Sequence, residues 1–333
     1  MLKVYDTFSN IDQLDMEILS ITLLLIIPGT VFASVGNRWT YEGELGPDHW
    51  KVDYEHCGEQ QQSPIDIVTS QVRLNASIPD FNLSSYDTVE GVEQELENVG
   101  GHTVEVKYSG GEPLIITGGG LTGEFKVDQF HFHWGSSDSY GSEHQMNGKP
   151  YTMEMHVVHH ATKHANLTDA LDKPNGLAVL GFFFKVGEAN PAFETLLAKF
   201  NQIEHAEEKV PLDTPIKLST LLPKNMSVFW RYRGSLTTPP CYETVIWTLF
   251  YEPIIVSEEQ MTKYRSLKRN KVGEPEKDLV DDFRPLQALN RRVVETNNEL
   301  GLNSAASKNV VQICFSLFVL CLQLVLLALV NRS

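Results

Sequence analysis

Two stretches of the chain carry imidazoles at spacings that suit one metal ion. In residues 130–134, FHFHW, aromatic and imidazole side chains alternate strictly. A β-strand sends successive side chains to opposite faces, so His131 and His133 share one face while Phe130, Phe132 and Trp134 share the other. In residues 153–160, MEMHVVHH, the same rule groups Glu154, His156 and Val158. If the two strands pair, His156 completes a three-histidine site. Three neutral imidazoles with one open vertex is a catalytic zinc arrangement, unlike the closed four-ligand structural kind. A single strand histidine is ordinarily a core or surface residue; the paired spacing and the second strand argue for ligation. Gln129 and Glu154 each precede a candidate ligand by two residues and share its face, where they can take the imidazole's other N–H.

Such a site needs a rigid β scaffold, and the surrounding sequence supplies one. Strand-like stretches recur at 102–108, 113–118, 130–134, 153–160, 177–186 and 243–251, separated by glycine-rich turns at 109–113 and 118–123. The glycine run at 118–120 is not followed by Lys-Ser/Thr or a helix, so it reads as a hairpin turn and not a phosphate loop. Helical periodicity is confined to short pieces at 191–200 and 257–267. No repeat or linker marks a boundary between residues 34 and 303, which predicts one mostly-β (α+β) domain with a few surface helices.

Composition narrows the class. The 333 residues carry a net charge of −16, which argues against nucleic acid as a partner. A mean hydropathy of −0.19 excludes a multi-span membrane protein. Four cysteines are too few for a disulfide scaffold, so an apolar core must hold the fold.

The two ends read as addresses. Residues 18–33 form an apolar run with Val31 and Ala33 at the small-residue positions a signal peptidase reads, predicting a leader over residues 1–33. The segment before it is long and acidic, and Met16 opens a better-shaped leader, so it is an alternative start. Residues 310–330 are 21 residues without a charge, followed only by Asn331, Arg332 and Ser333. Small residues at 303–306 precede this tail, as a lipid-anchor signal requires, although the polar spacer is short. Residues 304–333 are therefore read as a glycosylphosphatidylinositol anchor signal in preference to a single C-terminal transmembrane helix. Asn75, Asn82, Asn166 and Asn225 each open an Asn-x-Ser/Thr glycosylation triplet. Cys314 and Cys321 lie in the tail, leaving Cys57 and Cys241 as the pair an oxidising compartment would join; two buried free thiols are the alternative.

From Trp39 to Arg292 the chain resembles the α-carbonic anhydrases. The resemblance rests on GPDHW at 46–50, QSPIDI at 62–67, QFHFHWG at 129–135, GSEH at 141–144, EMHVVH at 154–159, LAVLG at 177–181, GSLTTPPC at 234–241 and FRPLQALNRR at 283–292. With the leader, the cysteine pair and the tail, the chain is similar to the extracellular, membrane-anchored branch, types IV and XV. The resemblance implies a large twisted, mainly antiparallel central sheet and reversible hydration of carbon dioxide to bicarbonate and a proton on zinc. It implies that His131, His133 and His156 bind the metal, that Thr237 accepts a hydrogen bond from zinc-bound hydroxide, and that Glu143 orients Thr237. It places carbon dioxide against Val158, Val179, Leu236 and Trp247 with Thr238 beside it, assigns the proton shuttle to His102, and sets Tyr41 in the nearby solvent network. Gly100 and Glu105 stand where polar amides are usual, His160 where Trp is common, and Asp282 where Asn is usual. The alternative is a binding or adhesion ectodomain on the same scaffold, since relatives exist that lost zinc ligands, but here the three histidines, Thr237 and Glu143 are all present. Protein partners are not legible.

Overall fold

The computed structural model describes residues 39–302, so the leader and the apolar tail lie outside the described residues. In chain order the strands are β1 (Asp66–Ile67), β2 (Arg73–Leu74), β3 (Phe81–Asn82), β4 (Val92–Val99), β5 (Thr103–Gly110), β6 (Ile115–Gly118) and β7 (Phe125–Trp134). They continue with β8 (Gln145–Met146), β9 (Met153–Ala161), β10 (Leu177–Val186), β11 (Lys209–Pro211), β12 (Phe229–Gly234), β13 (Val245–Val256) and β14 (Glu295–Thr296).

Twelve strands form one sheet whose main path runs β11-β4-β5-β7-β9-β10-β13-β12-β14-β2, with β6 and β3 alongside β7. Pairing in it is antiparallel except for β10 with β13 and β14 with β2. The mainly antiparallel sheet is the architecture the resemblance implies, and its strand content is what the strand-and-turn pattern predicts. Hydrophobic continuity explains the order. All nine residues of β9 and the first eight of β10 are buried, so these strands sit mid-sheet with both faces covered.

Alternation then sorts the side chains. Phe130, Phe132, Met155, Val157, Leu180, Phe182 and Phe250 face the larger core cluster. Val158, Val179, Trp247 and Leu249 face a second cluster on the other side. Burying one such apolar side chain contributes about 1.5–3 kcal/mol, so a one-residue slip that turned them to solvent would be costly. The register that fixes the metal face is therefore held by the core face.

The turn at 118–120 holds Gly118, Gly119 and Gly120 at φ +77, +54 and +72, a left-handed run between antiparallel β6 and β7 that favours glycine. Helix Glu258–Arg265 starts at Ser257, whose hydroxyl accepts from Gln260 N while the Gln260 side chain reaches back, a reciprocal cap. The stretch at 191–200 is less regular than its periodicity predicts: a 3-10 turn at Pro191–Phe193 runs into a four-residue helix, Glu194–Leu197. Cys57 and Cys241 are joined in a disulfide, with a Cα–Cα distance of 4.9 Å.

Candidate active site

In register, His131 of β7 stands opposite His156 of β9, and His133 follows two residues along β7. One ring nitrogen of each histidine is already committed. His131 Nδ1 lies 2.8 Å from Gln129 Oε1, His133 Nδ1 donates to the Asp282 carbonyl at 2.7 Å, and His156 Nε2 lies 2.7 Å from Glu154 Oε1. Each of those oxygens accepts, so each of those nitrogens carries the proton. Three lone pairs remain, on His131 Nε2, His133 Nε2 and His156 Nδ1. They converge: ligand atoms of the three residues lie within 4.8 Å of one another. His131 Nε2 and His156 Nδ1 are 3.3 Å apart, and His133 Nε2 is buried without a hydrogen-bond partner among the described residues.

Buried lone pairs facing one another cost free energy unless something positive sits among them. A set of three neutral imidazole nitrogens whose other nitrogens are tied to oxygen fits zinc with an open position. His144, Glu154 and His156 lie equally close. There, however, Glu154 Oε1 accepts from His144 Nδ1 at 2.8 Å as well as from His156, so protons already bridge the gaps.

The surroundings favour the neutral ligands unevenly. Burial pushes the His131 imidazole well below its usual pKa, and the neighbouring His133 and His156 add to the effect. Burial also lowers His156, more than the Glu154 carboxylate restores. At His133 burial opposes the cation too, but the Glu143 and Asp282 carboxylates and the Asp282 carbonyl outweigh it, so its pKa is raised.

Behind the ligands runs a buried chain of hydrogen bonds. Glu154 Oε2 accepts from His144 N at 2.8 Å, His144 Nε2 lies 2.6 Å from Tyr232 Oη, and that hydroxyl lies 2.8 Å from Ser63 Oγ. Burial would raise the Glu154 carboxyl, but His144 and His156 hold it well below the usual range. Gly181 of β10, opposite His156 in register, leaves the room: a Cβ there would lie 3.3 Å from Glu154 Oε1 and 2.4 Å from Leu249.

The profile of the eukaryotic-type carbonic anhydrases matches residues 45–298. The chain belongs to that family. It is 38% identical over 262 residues to carbonic anhydrase 1 of Monodelphis domestica, covering 78% of this chain and 98% of the relative. It is 36% identical over 264 residues to human carbonic anhydrase 3, covering 79% and 99%. Zinc is the metal of the carbonic anhydrases, in agreement with the donor set described above.

Of the remaining carbonic anhydrase positions, Trp247 and Glu143 stand beside the imidazoles. Val158, Val179 and Trp247 form a row across β9, β10 and β13, each opposite the next, and all are buried. The Trp247 ring lies 4.7 Å from that of His156, and its Nε1 donates to the Ser235 carbonyl at 2.9 Å. Leu236 packs half-buried on the same cluster, next to buried Thr237 and half-buried Thr238. Glu143 Oε2 lies 3.5 Å from His133 Nε2 and 3.9 Å from His156 Nδ1. Its other oxygen accepts from Arg284 N at 2.9 Å, and Oε2 has no hydrogen-bond partner among the described residues. The hydrogen bond between Thr237 and Glu143 that the resemblance implies is thus not formed here.

One departure alters the wall. Beyond Val158 on the same face, His160 Nδ1 meets the Asp128 carboxylate at 2.8 and 2.9 Å. Asp128 is the extra residue of a bulge between Val127 and Gln129, which turns its carboxylate toward His160.

His102 sits in the turn between β4 and β5, stacked on Trp39 with ring centres 3.9 Å apart. Its Nε2 donates to the Trp39 carbonyl at 3.1 Å, and burial lowers its pKa. Tyr41 packs edge-on to both rings. Of the four glycosylation triplets, Asn82, Asn166 and Asn225 are exposed and Asn75 is half-buried, donating to Glu295 at 3.3 Å. Sequence reasoning gave no role to His144, Tyr232 or Arg284. His144 stood beside Glu143 in GSEH, and only the fold shows which carboxylate it serves.

Proposed function

We propose that this carbonic anhydrase reversibly hydrates carbon dioxide to bicarbonate and a proton at the extracellular face of the plasma membrane. Family membership makes it a carbonate dehydratase. The observation that carries the site assignment is the convergence of three imidazole lone pairs whose partner nitrogens are all committed to oxygen.

His131 and His133 would hold zinc through Nε2 and His156 through Nδ1. What the metal supplies when bound is Lewis acidity, which makes water ionise near neutral pH. Gln129, Glu154 and the Asp282 carbonyl fix the tautomers and hold the rings in place. Val158, Val179, Leu236 and Trp247 offer carbon dioxide an apolar wall, suited to a substrate without charge. Thr237 orients the attacking oxygen, which requires its own proton to turn to the unpartnered Glu143 Oε2, and Thr238 contacts the substrate. His102 carries the released proton toward solvent, with Tyr41 in the water network; an imidazole both accepts and releases protons at physiological pH.

Residues 34–303 form the catalytic domain, between a leader over 1–33 and an anchor signal over 304–333. The Cys57–Cys241 disulfide and three exposed glycosylation triplets support export, and with the apolar tail they support the branch similar to types IV and XV. The anchor is a glycosylphosphatidylinositol group, so phosphatidylinositol-specific phospholipase releases the protein from cells; retention indicates a transmembrane tail. Zinc analysis and stopped-flow hydration of the purified protein test the activity. Stoichiometric zinc and turnover, both lost in His131→Ala, are expected; a metal-free, inactive wild type overturns the reading.

A further inference from the structure

A second concave feature lies where β12, β14 and β2 run side by side. It is a cleft of about 620 Å³ lined by five arginines, Arg73, Arg231, Arg233, Arg291 and Arg292, and by a single carboxylate, Glu295. In a chain of net charge −16 such a concentration of cations is anomalous. The carboxylate does not neutralise it. Glu295 stands in register between Arg73 and Arg231, but its oxygens are taken by Arg73 and Asn75.

Arg231 is only 8% exposed, yet no carboxylate pairs with it among the described residues. Its Nε and Nη2 both donate to the neutral Thr248 hydroxyl, at 3.0 and 2.8 Å. The phenyl rings of Phe81 and Phe229 lie 5.7 and 5.8 Å from the guanidinium. Among the described residues its Nη1 has no hydrogen-bond partner, and it lies next to Gly120, where a Cβ would come within 3.6 Å of it. The glycine run of the β6–β7 turn thus leaves one face of a buried guanidinium open to the cleft. Arg233, two residues along β12, shares its side of the strand, and Arg291 adds an exposed cation at the rim. Arg292 is different: its three nitrogens already donate to the Leu289, Arg233 and Ala288 carbonyls, which makes it a brace.

A buried charge is tolerated when it is paired, and guanidinium groups match phosphate and sulfate oxygens in geometry as well as charge. We propose that this cleft binds a tetrahedral oxyanion, a phosphate or sulfate group, through Arg231 Nη1 with Arg233 and Arg291. The cleft is of small-ligand size, so the group is carried on a larger molecule or enters as the free ion; both present the same chemistry.

Isothermal titration of the zinc-loaded protein at low ionic strength, with inorganic phosphate and separately with a sulfated disaccharide, tests this. Saturable binding of at least one probe is expected, weakening with added salt. It should fall about tenfold or more in Arg231→Met, the loss of a charge-assisted hydrogen bond, and also in the rim variants Arg233→Gln and Arg291→Gln. The rim variants keep carbon dioxide hydration unchanged and cover the case in which Arg231→Met does not fold. Tighter binding of the disaccharide identifies a carried group, and equal binding identifies the free ion. No binding of either probe, or binding that survives the rim substitutions, overturns the proposal.

Discussion

Glu154 and His156, two residues apart on β9, are joined by a 2.7 Å hydrogen bond, and the same carboxylate oxygen also takes the proton of His144 at 2.8 Å. This carboxylate therefore decides which nitrogen of His156 faces the metal. Glu154→Gln is expected to keep the fold and weaken zinc binding about 10–100-fold, measured by competition with a chelator. Unchanged affinity would mean that the tautomer is set elsewhere.

Asp282 serves His133 through its backbone, while among the described residues its buried carboxyl accepts only from Trp134 N and leaves Oδ2 without a partner. Burial raises that carboxyl to about 7, against the partial opposition of His133 and the Trp134 N–H. The fold disfavours the ionised form, so the penalty appears as pH rises from the unfolded value of 3.8 through 7. Asp282→Asn should therefore bind zinc as the wild type does. In the metal-free protein it should gain about 1–3 kcal/mol at pH 8 and little at pH 4, measured by urea unfolding. A gain independent of pH would exclude the carboxyl as its source.

His159 is buried between the Tyr86 hydroxyl and the Ala178 carbonyl, and burial lowers its pKa from 6.5 to about 4. The fold holds it neutral, so its contribution is complete above pH 6.5 and is lost as pH falls toward 4. The loss amounts to about 3 kcal/mol. His159→Gln should flatten the stability profile of the metal-free protein across that interval. A profile as steep as the wild type would assign the acid sensitivity to other groups.

The disulfide encloses a separation of 184 residues, worth about 5 kcal/mol on the chain-entropy account. It is also wired to the site. Cys241 N donates to the Thr238 carbonyl at 2.9 Å, and the Cys57 carbonyl accepts from Arg284, whose backbone N–H holds Glu143. In a reductant titration, hydration activity is expected to fall before tryptophan fluorescence reports unfolding. Coincident loss of both would reduce the bridge to a staple.

The metal face was legible in the sequence because strand alternation is local: FHFHW sorts its own side chains, and Gln129 and Glu154 fall two residues from their partners. The glycine turn at 118–120 was legible for the same reason. Strands β4 and β12 were not, because they bury Gln94, Asn98 and Arg231 at inward positions and so break the apolar pattern. Gln94 bonds the backbone of Ile216, and Asn98 that of Lys268, partners more than a hundred residues away. His144 and Arg284 were hidden likewise: their partners are set by tertiary contact, not by spacing.

The coordination sphere itself tests the account most directly. X-ray diffraction at the zinc edge from crystals of the metal-loaded protein should place zinc about 2.0–2.1 Å from His131 Nε2, His133 Nε2 and His156 Nδ1, with a solvent molecule at the fourth vertex. Zinc held by four protein donors, or by His156 through Nε2, would contradict it.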